Sequence, residues 1–354
     1  MSGPVVSNSL QPKRSGWRLL VGELRRFVVV FMAGSLGIFL AVESMPGDPV
    51  SLRVKNPDPA RVTEIRESLG LDDPMPVRYV RGLGQFLTLD WGQSLISGRS
   101  VRAEVARFFP ATLELSVLGI LFGTALGTAM VLVAHATGRR WLLQPVRGMA
   151  ALGLTVPIFW IGLLLVLLFS VRLGWFPVGG RFDFAYPVPT GSGFFLLDSL
   201  ASGNLAAFWT SLRHLALPVL TLGLYPAAVV AGTLEARLGE SYLQRLVTAL
   251  RSRGFSPLRI WGKHILRLVS GPVVTVIGTQ AGALLGGAVL TETVYSWPGM
   301  GRFLVDGVLN RDIFVIQNGL LLVVVLALLV VTAADILASR LDTQLRKGEA
   351  GDEA

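Results

Sequence analysis

Four acidic residues lie close to the ends of long apolar runs and are the side chains best suited to chemistry inside a membrane. They are Glu43, Glu114, Glu292 and Asp335. An acid or histidine at mid-membrane is the usual coupling site of an ion-driven transporter. All four acids flank the apolar runs instead of occupying their centres. An ion-coupled secondary transporter is therefore the less favoured alternative for this chain.

The other reactive side chains form no pattern that is typical of a catalytic or metal site. The three histidines, His135, His214 and His264, fall on different connecting segments, and the chain has no cysteine. Thiol catalysis, disulfides and cysteine-based metal sites are therefore excluded. No H-E-x-x-H occurs, and no serine has a histidine and a carboxylate in a recognisable arrangement. We predict no catalytic residue, no cofactor site, no metal site and no embedded hydrolase.

Nucleotide chemistry is also not predicted for this chain. A phosphate-binding loop of the form G-x-x-x-x-G-K-[ST] does not occur. The nearest pair, Gly262 and Lys263, is followed by His264 and lacks the upstream glycine. The sequence therefore predicts a non-catalytic protein that does not hydrolyse ATP itself.

The composition is that of an integral membrane protein. Of the 354 residues, 52% are hydrophobic and only 16% are charged. The net charge of +9 comes from lysines and arginines placed between apolar runs and not gathered on one soluble face. Such a distribution does not match a nucleic-acid footprint. The lipid bilayer is thus a predicted partner, and nucleic acid is not.

Six apolar runs predict an all-α protein with six transmembrane helices. The predicted spans are residues 27–43, 113–134, 149–171, 215–234, 273–294 and 313–337. The first is also typical of the hydrophobic region of a signal peptide. Because the helix stop that follows it lacks a clear small-x-small cleavage site, we favour an uncleaved first span.

The distribution of lysine and arginine predicts cytoplasmic N- and C-termini. Segments 1–26, 135–148, 235–272 and 338–354 carry 5, 3, 7 and 3 basic residues, and segments 172–214 and 295–312 carry 2 each once Arg172 is assigned to the membrane boundary. Short cytoplasmic loops are the basic ones. Segment 44–112 carries 9 but is long enough to cross regardless of charge. We predict that it forms a small extracytoplasmic cap ahead of a five-helix core, residues 113–337.

Two predicted spans carry glycine at intervals of four residues. These glycines are Gly119, Gly123 and Gly127 in the second span, and Gly278, Gly282 and Gly286 in the fifth. Such rows let helix backbones approach closely within lipid. Packing within one subunit is the favoured interpretation, and a fifth-span row that lines a pathway or a subunit interface is the alternative.

The basic segment within 235–272 has the pattern of two helices joined at Gly254. Ser256 and Pro257 are typical of a helix start, and Gly254 suits a left-handed helix end. Apolar stripes run along both helices, residues 243–253 and 257–269, opposite exposed cations. The stripes are Leu243, Leu246, Val247 and Leu250, then Leu258, Trp261, Ile265 and Leu268. Physical grounds alone favour a lipid-surface helix pair and a docking site for a soluble partner equally.

The same segment resembles the cytoplasmic EAA loop of binding-protein-dependent ABC importer permeases. Its matching residues are Ala249, Arg251, Arg253, Gly254, Ser256, Pro257, Trp261, His264 and Arg267, followed by Pro272. Further blocks resemble the dipeptide, oligopeptide and nickel branch in order and spacing. They include residues 46–49, 69–77, 89–92, 110–115, 156–160, 212–218, 292–302 and 311–317. Leu246, Leu250, Leu268 and Gly271 depart from the usual pattern.

This resemblance implies a type I permease subunit of the bacterial inner membrane. It implies pairing with a second homologous permease, two cytoplasmic ATPase subunits that use ATP, and an extracytoplasmic substrate-binding protein. The loop 235–272 would couple the ATPases to transport. Peptide is the favoured cargo on family breadth, with nickel or another small solute as the alternative.

Two extracytoplasmic segments have open roles. The turn after the fifth span carries Glu292, Trp297, Pro298, Gly299 and Gly301. It either forms an outer gate or binding-protein contact, or it only ends the helix. The cap 44–112 is interpreted as a docking surface that includes Trp91, with a purely structural role as the alternative.

Overall fold

The structure is a computed structural model that describes residues 16–46, 59–145, 148, 156–187, 191–239 and 241–351. Helices joined by turns dominate these ranges. We number them α1 (Gly16–Glu43), α2 (Pro59–Leu69), α3 (Met75–Leu87), α4 (Val101–Thr137), α5 (Ile158–Arg172), α6 (Phe195–Ala201), α7 (Leu205–Leu238), α8 (Ser241–Ser252), α9 (Pro257–Gly287), α10 (Val289–Val294), α11 (Met300–Leu309) and α12 (Ile313–Gly351).

Five of these helices contain segments long and apolar enough to cross a membrane, and α5 is a shorter apolar helix. The five segments are Val21–Glu43, Val101–Thr137, Leu205–Leu238, Pro257–Gly287 and Ile313–Arg340. The predicted all-α membrane fold is confirmed. The predicted third span, 149–171, begins outside the described residues, and α5 begins directly after Pro157.

Several helices are longer than the predicted spans, and two of the differences concern the cap and the N-terminal segment. Helix α4 begins at Val101, so the last part of segment 44–112 belongs to a membrane-spanning helix and not to the cap. Helix α1 begins at Gly16, upstream of the predicted start at residue 27. Apolar composition predicts only the part of a helix that crosses lipid, and both helices extend beyond it.

The most extensive helix pair is α4 with α7. The first glycine row lies in this contact. A methyl group added to Gly119 would lie 3.3 Å from Leu222 Cβ, and one added to Gly123 would overlap the carbonyl oxygen of Gly223. A methyl group added to Gly127 would likewise overlap the carbonyl oxygen of Ala227. The small residues therefore let the two backbones meet, as intrachain packing requires.

The second glycine row is divided along α9, which packs mainly on α12. A methyl group on Gly278 would overlap Ala334 Cβ, and one on Gly282 would lie 3.0 Å from Val331 Cγ2. Gly286 has nothing within 4 Å of its added methyl position. The row thus packs within the chain at two glycines and faces open space at the third.

The first and last spans also pack together. Helix α1 lies against α12, and Arg26 Nη1 donates to Asp335 Oδ2 at 3.0 Å. Farther along α1, Ser35 Oγ and Tyr79 Oη of α3 are 2.8 Å apart, and Glu43 pairs with Arg78. The start of α1 and the later part of α12 therefore lie at one end of the molecule, and the cap helices lie at the other.

Trp91 belongs to the interior of the cap. Its ring stacks on Phe86 at 5.6 Å, and its Nε1 donates to the Phe86 carbonyl oxygen at 3.1 Å. With 6% of its surface exposed, Trp91 does not present the docking surface predicted for it. The cap is fixed to α12 at Asp312, whose Oδ2 accepts from Ser94 Oγ at 2.6 Å.

Candidate coupling surface and outer-end site

The inner loop is two helices, α8 and α9, joined by a left-handed glycine. Gly254 has φ +77°, a backbone conformation that side chains rarely adopt. Phe255 N donates to Leu250 O at 3.2 Å, and Gly254 N donates to Arg251 O at 2.9 Å. This pair of bonds is the Schellman motif. The glycine that the sequence places between the helices therefore fixes the angle at which the chain leaves α8.

Helix α9 starts as the sequence predicts but then changes its winding. Ser256 Oγ accepts from Arg259 N at 3.4 Å, and Pro257 occupies the first turn. Residues Ile260–Ile265 then form a π-helical segment. A π segment has more residues per turn, so it shifts which side chains face inward. Ile260 is fully buried, whereas Leu258, predicted on the apolar face, is 84% exposed.

The inward face of the loop continues the apolar core at the ends of α4 and α7. Trp261 lies 5.3 Å from the His135 ring of α4, measured between ring centroids. The shared buried cluster consists of Val131, Ala134, Leu143, Val230, Ala231, Leu234, Leu238, Leu243, Leu250, Ile260, Trp261, Ile265, Val269 and Val273. Packing on this scale fixes the loop to the two central spans.

The outward face of the loop is cationic with an apolar tip. We call it the coupling surface, and it comprises the exposed residues Ala249, Arg251, Arg253, Gly254, Ser256, Pro257, Leu258, Arg259, Lys263 and Arg267. The Arg259 guanidinium lies 5.0 Å from the Phe255 ring, which contacts His264 edge-on at 5.6 Å. The structure therefore places Trp261 inside and His264 half-buried, and it gathers the other predicted loop residues on one exposed face.

At the opposite end, Glu292 is a buried hub for the turn that follows α10. Its carboxylate accepts from Thr112 Oγ1 of α4 and from Arg302 N at 2.8 Å. Thr112 Oγ1 in turn accepts from Met300 N at 2.7 Å. Side-chain atoms at Gly299 or Gly301 would collide with the Glu292 carboxylate. The two glycines are thus required so that the turn can wrap around this acid.

Two aromatic residues fix the same turn, residues 295–301, which we call the gate turn. Trp297 is fully buried, and its Nε1 donates to Ala111 O of α4 at 3.0 Å. Tyr295 Oη lies 2.8 Å from Thr221 Oγ1 of α7 and donates to Gly162 O of α5 at 3.3 Å. Pro298 is exposed. The other predicted residues of this turn are closed to a partner in this conformation and instead connect three spans.

A buried ion pair above the gate turn was not predicted from the sequence. Arg181 pairs with Glu114 of α4, and both side chains are 5% exposed. The guanidinium also lies 3.9 Å from the Phe195 ring centroid and 5.3 Å from that of Trp297. Burial lowers the pKa of Arg181, and the neighbouring Glu114 charge acts in the opposite direction. The two residues lie far apart in sequence, so the pairing carried no local signal, although Glu114 itself lies in the resembling block 110–115.

All four acids at the span ends have protein partners in the structure. Glu43 pairs with Arg78, and Asp335 pairs with Arg26. Glu114 is bound by Arg181, and Glu292 is bound by Thr112 and Arg302 N. An ion-coupling site needs a carboxylate that can exchange a proton or cation. These engaged carboxylates therefore give the ion-coupled alternative no support.

Comparison with known proteins identifies a family and several relatives for this chain. Residues 117–347 match the family described as the inner membrane component of binding-protein-dependent transport systems. The di/tripeptide transport system permease protein DppB of Pseudomonas aeruginosa is 39% identical over 326 residues, covering 92% of this chain and 97% of that protein. The dipeptide transport system permease protein DppB of Escherichia coli K12 is 35% identical over 337 residues, covering 93% and 98%.

A third relative is named for a different cargo. The putrescine export system permease protein SapB of Escherichia coli K12 is 35% identical over 253 residues, covering 71% of this chain and 79% of that protein. The fold and these matches define a multi-pass helical permease of the inner membrane. The chain belongs to the family of binding-protein-dependent transport system inner membrane components, and the resemblance seen in the sequence is confirmed.

Proposed function

We propose that this chain is one permease subunit of an ATP-driven importer that moves short peptides across the inner membrane. A second homologous permease would complete the membrane pathway, and an extracytoplasmic binding protein would deliver the peptide. Two cytoplasmic ATPase subunits would bind and hydrolyse ATP. Peptide as cargo is supported by the relatives named for di- and tripeptide transport.

One observation carries this proposal, the two-sided construction of the inner loop. Its inward face is continuous with the core of α4 and α7, and its outward face exposes arginines around Leu258. A rigid loop built in this way transmits a push from a soluble partner to the spans. Transport would follow when ATPase closure moves the coupling surface and the outer end responds.

The orientation of the chain is part of the proposal. Arg26 of α1 pairs with Asp335 of α12, so the first part of α1 and the later part of α12 lie at the same end of the bundle. The short basic segments favour the cytoplasm for that end. The coupling surface would then face the ATPases, and the cap with the gate turn would face the binding protein.

The experiment compares three variants in the assembled transporter. Gly254→Val forces a β-branched residue into the left-handed conformation at φ +77° and should abolish ATPase co-purification and peptide uptake. Gly254→Asn tolerates that conformation and should keep most of both activities. Gly98→Val is the matched control, because Gly98 also has a left-handed backbone, at φ +69°, with nothing within 4 Å of an added methyl position, yet lies in the cap at the opposite end of the molecule.

Expected results are intact membrane insertion for all three variants, with loss of ATPase binding confined to Gly254→Val. Full peptide uptake by Gly254→Val would overturn the coupling role of the loop. Equal losses in Gly254→Val and Gly98→Val would show that strain at a left-handed glycine in general, and not a change of the coupling surface, causes the loss. Uptake of putrescine in place of peptide would overturn the assignment of peptide as the cargo.

A further inference from the structure

The segment that lies over the gate turn has the construction of a hinged strap. We call residues 174–187 and 191–203 the outer strap. It starts at Gly174, with φ +64°, and ends at Gly203, with φ +69°. Neither glycine has an atom within 4 Å of an added methyl position. Left-handed glycines in open space are suitable hinges, because little packing resists a change in their backbone angles.

The outer strap is attached to the core by polar contacts and by Leu196, which packs against the buried cluster of Ala111, Leu115, Leu215 and Trp297. Gly180 N donates to Tyr295 O of the gate turn at 2.9 Å. His214 Nδ1 of α7 lies 3.0 Å from Gly179 O. Leu196 N, in the first turn of α6, donates to Glu114 Oε1 at 2.9 Å. The strap therefore touches the gate turn directly, and its described hydrogen bonds to α4 all go to the Glu114 carboxylate.

Glu114 joins both arms of the outer strap at a single point. One carboxylate oxygen receives Arg181 from the first arm, and the other receives the Leu196 amide from the second. Arg181 Nη2 also donates across the arms to Gly193 O at 3.0 Å. Removing the Glu114 carboxylate would take away a contact from both arms, and removing the Arg181 charge would open the only ion pair described between α4 and the strap residues given above.

A buried ion pair is well suited to a contact that must open. It adds little net stability while closed, because desolvation of both charges offsets their attraction. Once it is opened to water, both charges regain hydration. On the strap's outer side, Phe184, Leu197 and Leu200 are already exposed. Lifting the strap therefore exposes little additional apolar surface on that side. Ser199 on its inner side is fully buried.

We propose that the Arg181–Glu114 pair is a latch that holds the outer strap on the gate turn and opens when the transporter faces outward. Arg181 acts as a positioning residue, since it holds the strap against Trp297 and Tyr295. We propose no contact between Arg181 and the transported peptide. This inference rests on the proposed function, because the opening is a step of the ATP-driven cycle.

The test uses the absence of cysteine from the chain, which lets a single thiol report on strap opening. Ser199→Cys places that thiol beneath the outer strap with a minimal change of shape. Ser116→Cys in α4 is the matched control, because Ser116 is also buried but lies two residues from Glu114 on another side of the helix. Each variant is assembled into the full transporter in nanodiscs, and its maleimide labelling rate is measured together with peptide-stimulated ATP hydrolysis.

The latch predicts at least tenfold faster labelling of Ser199→Cys when binding protein, peptide and ATP trap the outward-facing state, with no change for Ser116→Cys. Adding Arg181→Gln should make the resting state label at the faster rate, and adding Arg181→Lys should preserve part of the protection. If Arg181→Gln does not assemble, the comparison of the two states in the single-cysteine variant still decides.

Equal labelling of Ser199→Cys in both states, in a transporter that hydrolyses ATP on addition of peptide, would overturn the latch and leave the proposed function intact. Unchanged resting protection after Arg181→Gln would show that Arg181 is not the latch. A parent transporter that neither binds the ATPases nor responds to peptide would overturn the proposed function itself.

Discussion

The two ends of this protein treat charge in opposite ways. At the inner end, the coupling surface exposes its cations, and the loop beneath it is buried mainly through hydrophobic side chains, among them Ile260 and Ile265. At the outer end, three charged residues are buried. Arg181 pairs with Glu114, and Glu292 accepts hydrogen bonds from Thr112 and Arg302 N. Apolar packing contributes stability without directional requirements, whereas buried polar groups are stable only while every partner stays in place.

This difference suggests a division of roles between the ends. Under the proposed function, the coupling surface would meet a soluble ATPase and would need a constant shape, which a dense apolar base provides. An end that must open and close is better held by polar contacts, which exchange protein partners for water when they separate. The following predictions test whether the inner end is rigid and the outer end is switchable.

The largest expected effect follows removal of the Glu292 carboxylate. Glu292→Ala leaves Thr112 Oγ1 and Arg302 N without their acceptor and creates a cavity, at an expected cost of about 3 kcal/mol in unfolding free energy. Thermal unfolding in detergent measures this loss. Glu292→Gln retains an acceptor and should recover more than half of it. Equal loss from both variants would show that charge, and not hydrogen bonding, stabilises the gate turn.

The second prediction concerns the helix pair that joins the two ends. Gly123→Val would force a branched side chain against the Gly223 carbonyl of α7 and should cost about 2–3 kcal/mol. Gly286→Val is the matched control, since Gly286 faces open space in this chain. Thermal unfolding should separate the two variants. Should Gly286→Val also impair assembly with the second permease, Gly286 belongs to the interface between subunits.

The third prediction separates partner binding from folding at the inner end. Leu258→Ala should leave the unfolding temperature unchanged but weaken ATPase association about tenfold, as expected for an exposed apolar anchor. Ile260→Ala should instead reduce folding stability, because Ile260 is fully buried. Titration of the ATPase against the permease in nanodiscs measures the first effect. A Leu258→Ala variant with normal ATPase affinity would contradict the assignment of the loop tip.

The smallest predicted effect is at the start of α9. Ser256→Ala removes the side chain that accepts from Arg259 N and should cost about 1 kcal/mol of helix stability. Amide hydrogen exchange should increase in the first turn of α9 only. Ser256→Asp restores an acceptor and should return exchange to the parent level. A global increase in exchange would show that the inner end is less rigid than its packing indicates.

The inner end was largely predictable from sequence, and the outer end was not. Gly254, Ser256 and Pro257 act through local backbone rules, so their spacing predicted the helix-glycine-helix loop and its caps. The π segment was missed, because periodicity assumes regular winding, and Leu258 was therefore misplaced. Arg181 and Glu114 are distant in the chain and meet only through tertiary packing. Local patterns hold no information about such pairs.

The pairing of α1 with α12 has a consequence for how the protein is made. Helix α1 is synthesised first, but Asp335, the partner of Arg26, and most of the surface that α1 packs against lie on the last span. During synthesis, α1 must therefore remain in the bilayer with much of its helix-packing surface unmatched until α12 arrives. The bundle is completed only when its two chain ends meet, and a ribosome that stops before α12 leaves α1 without its main partner.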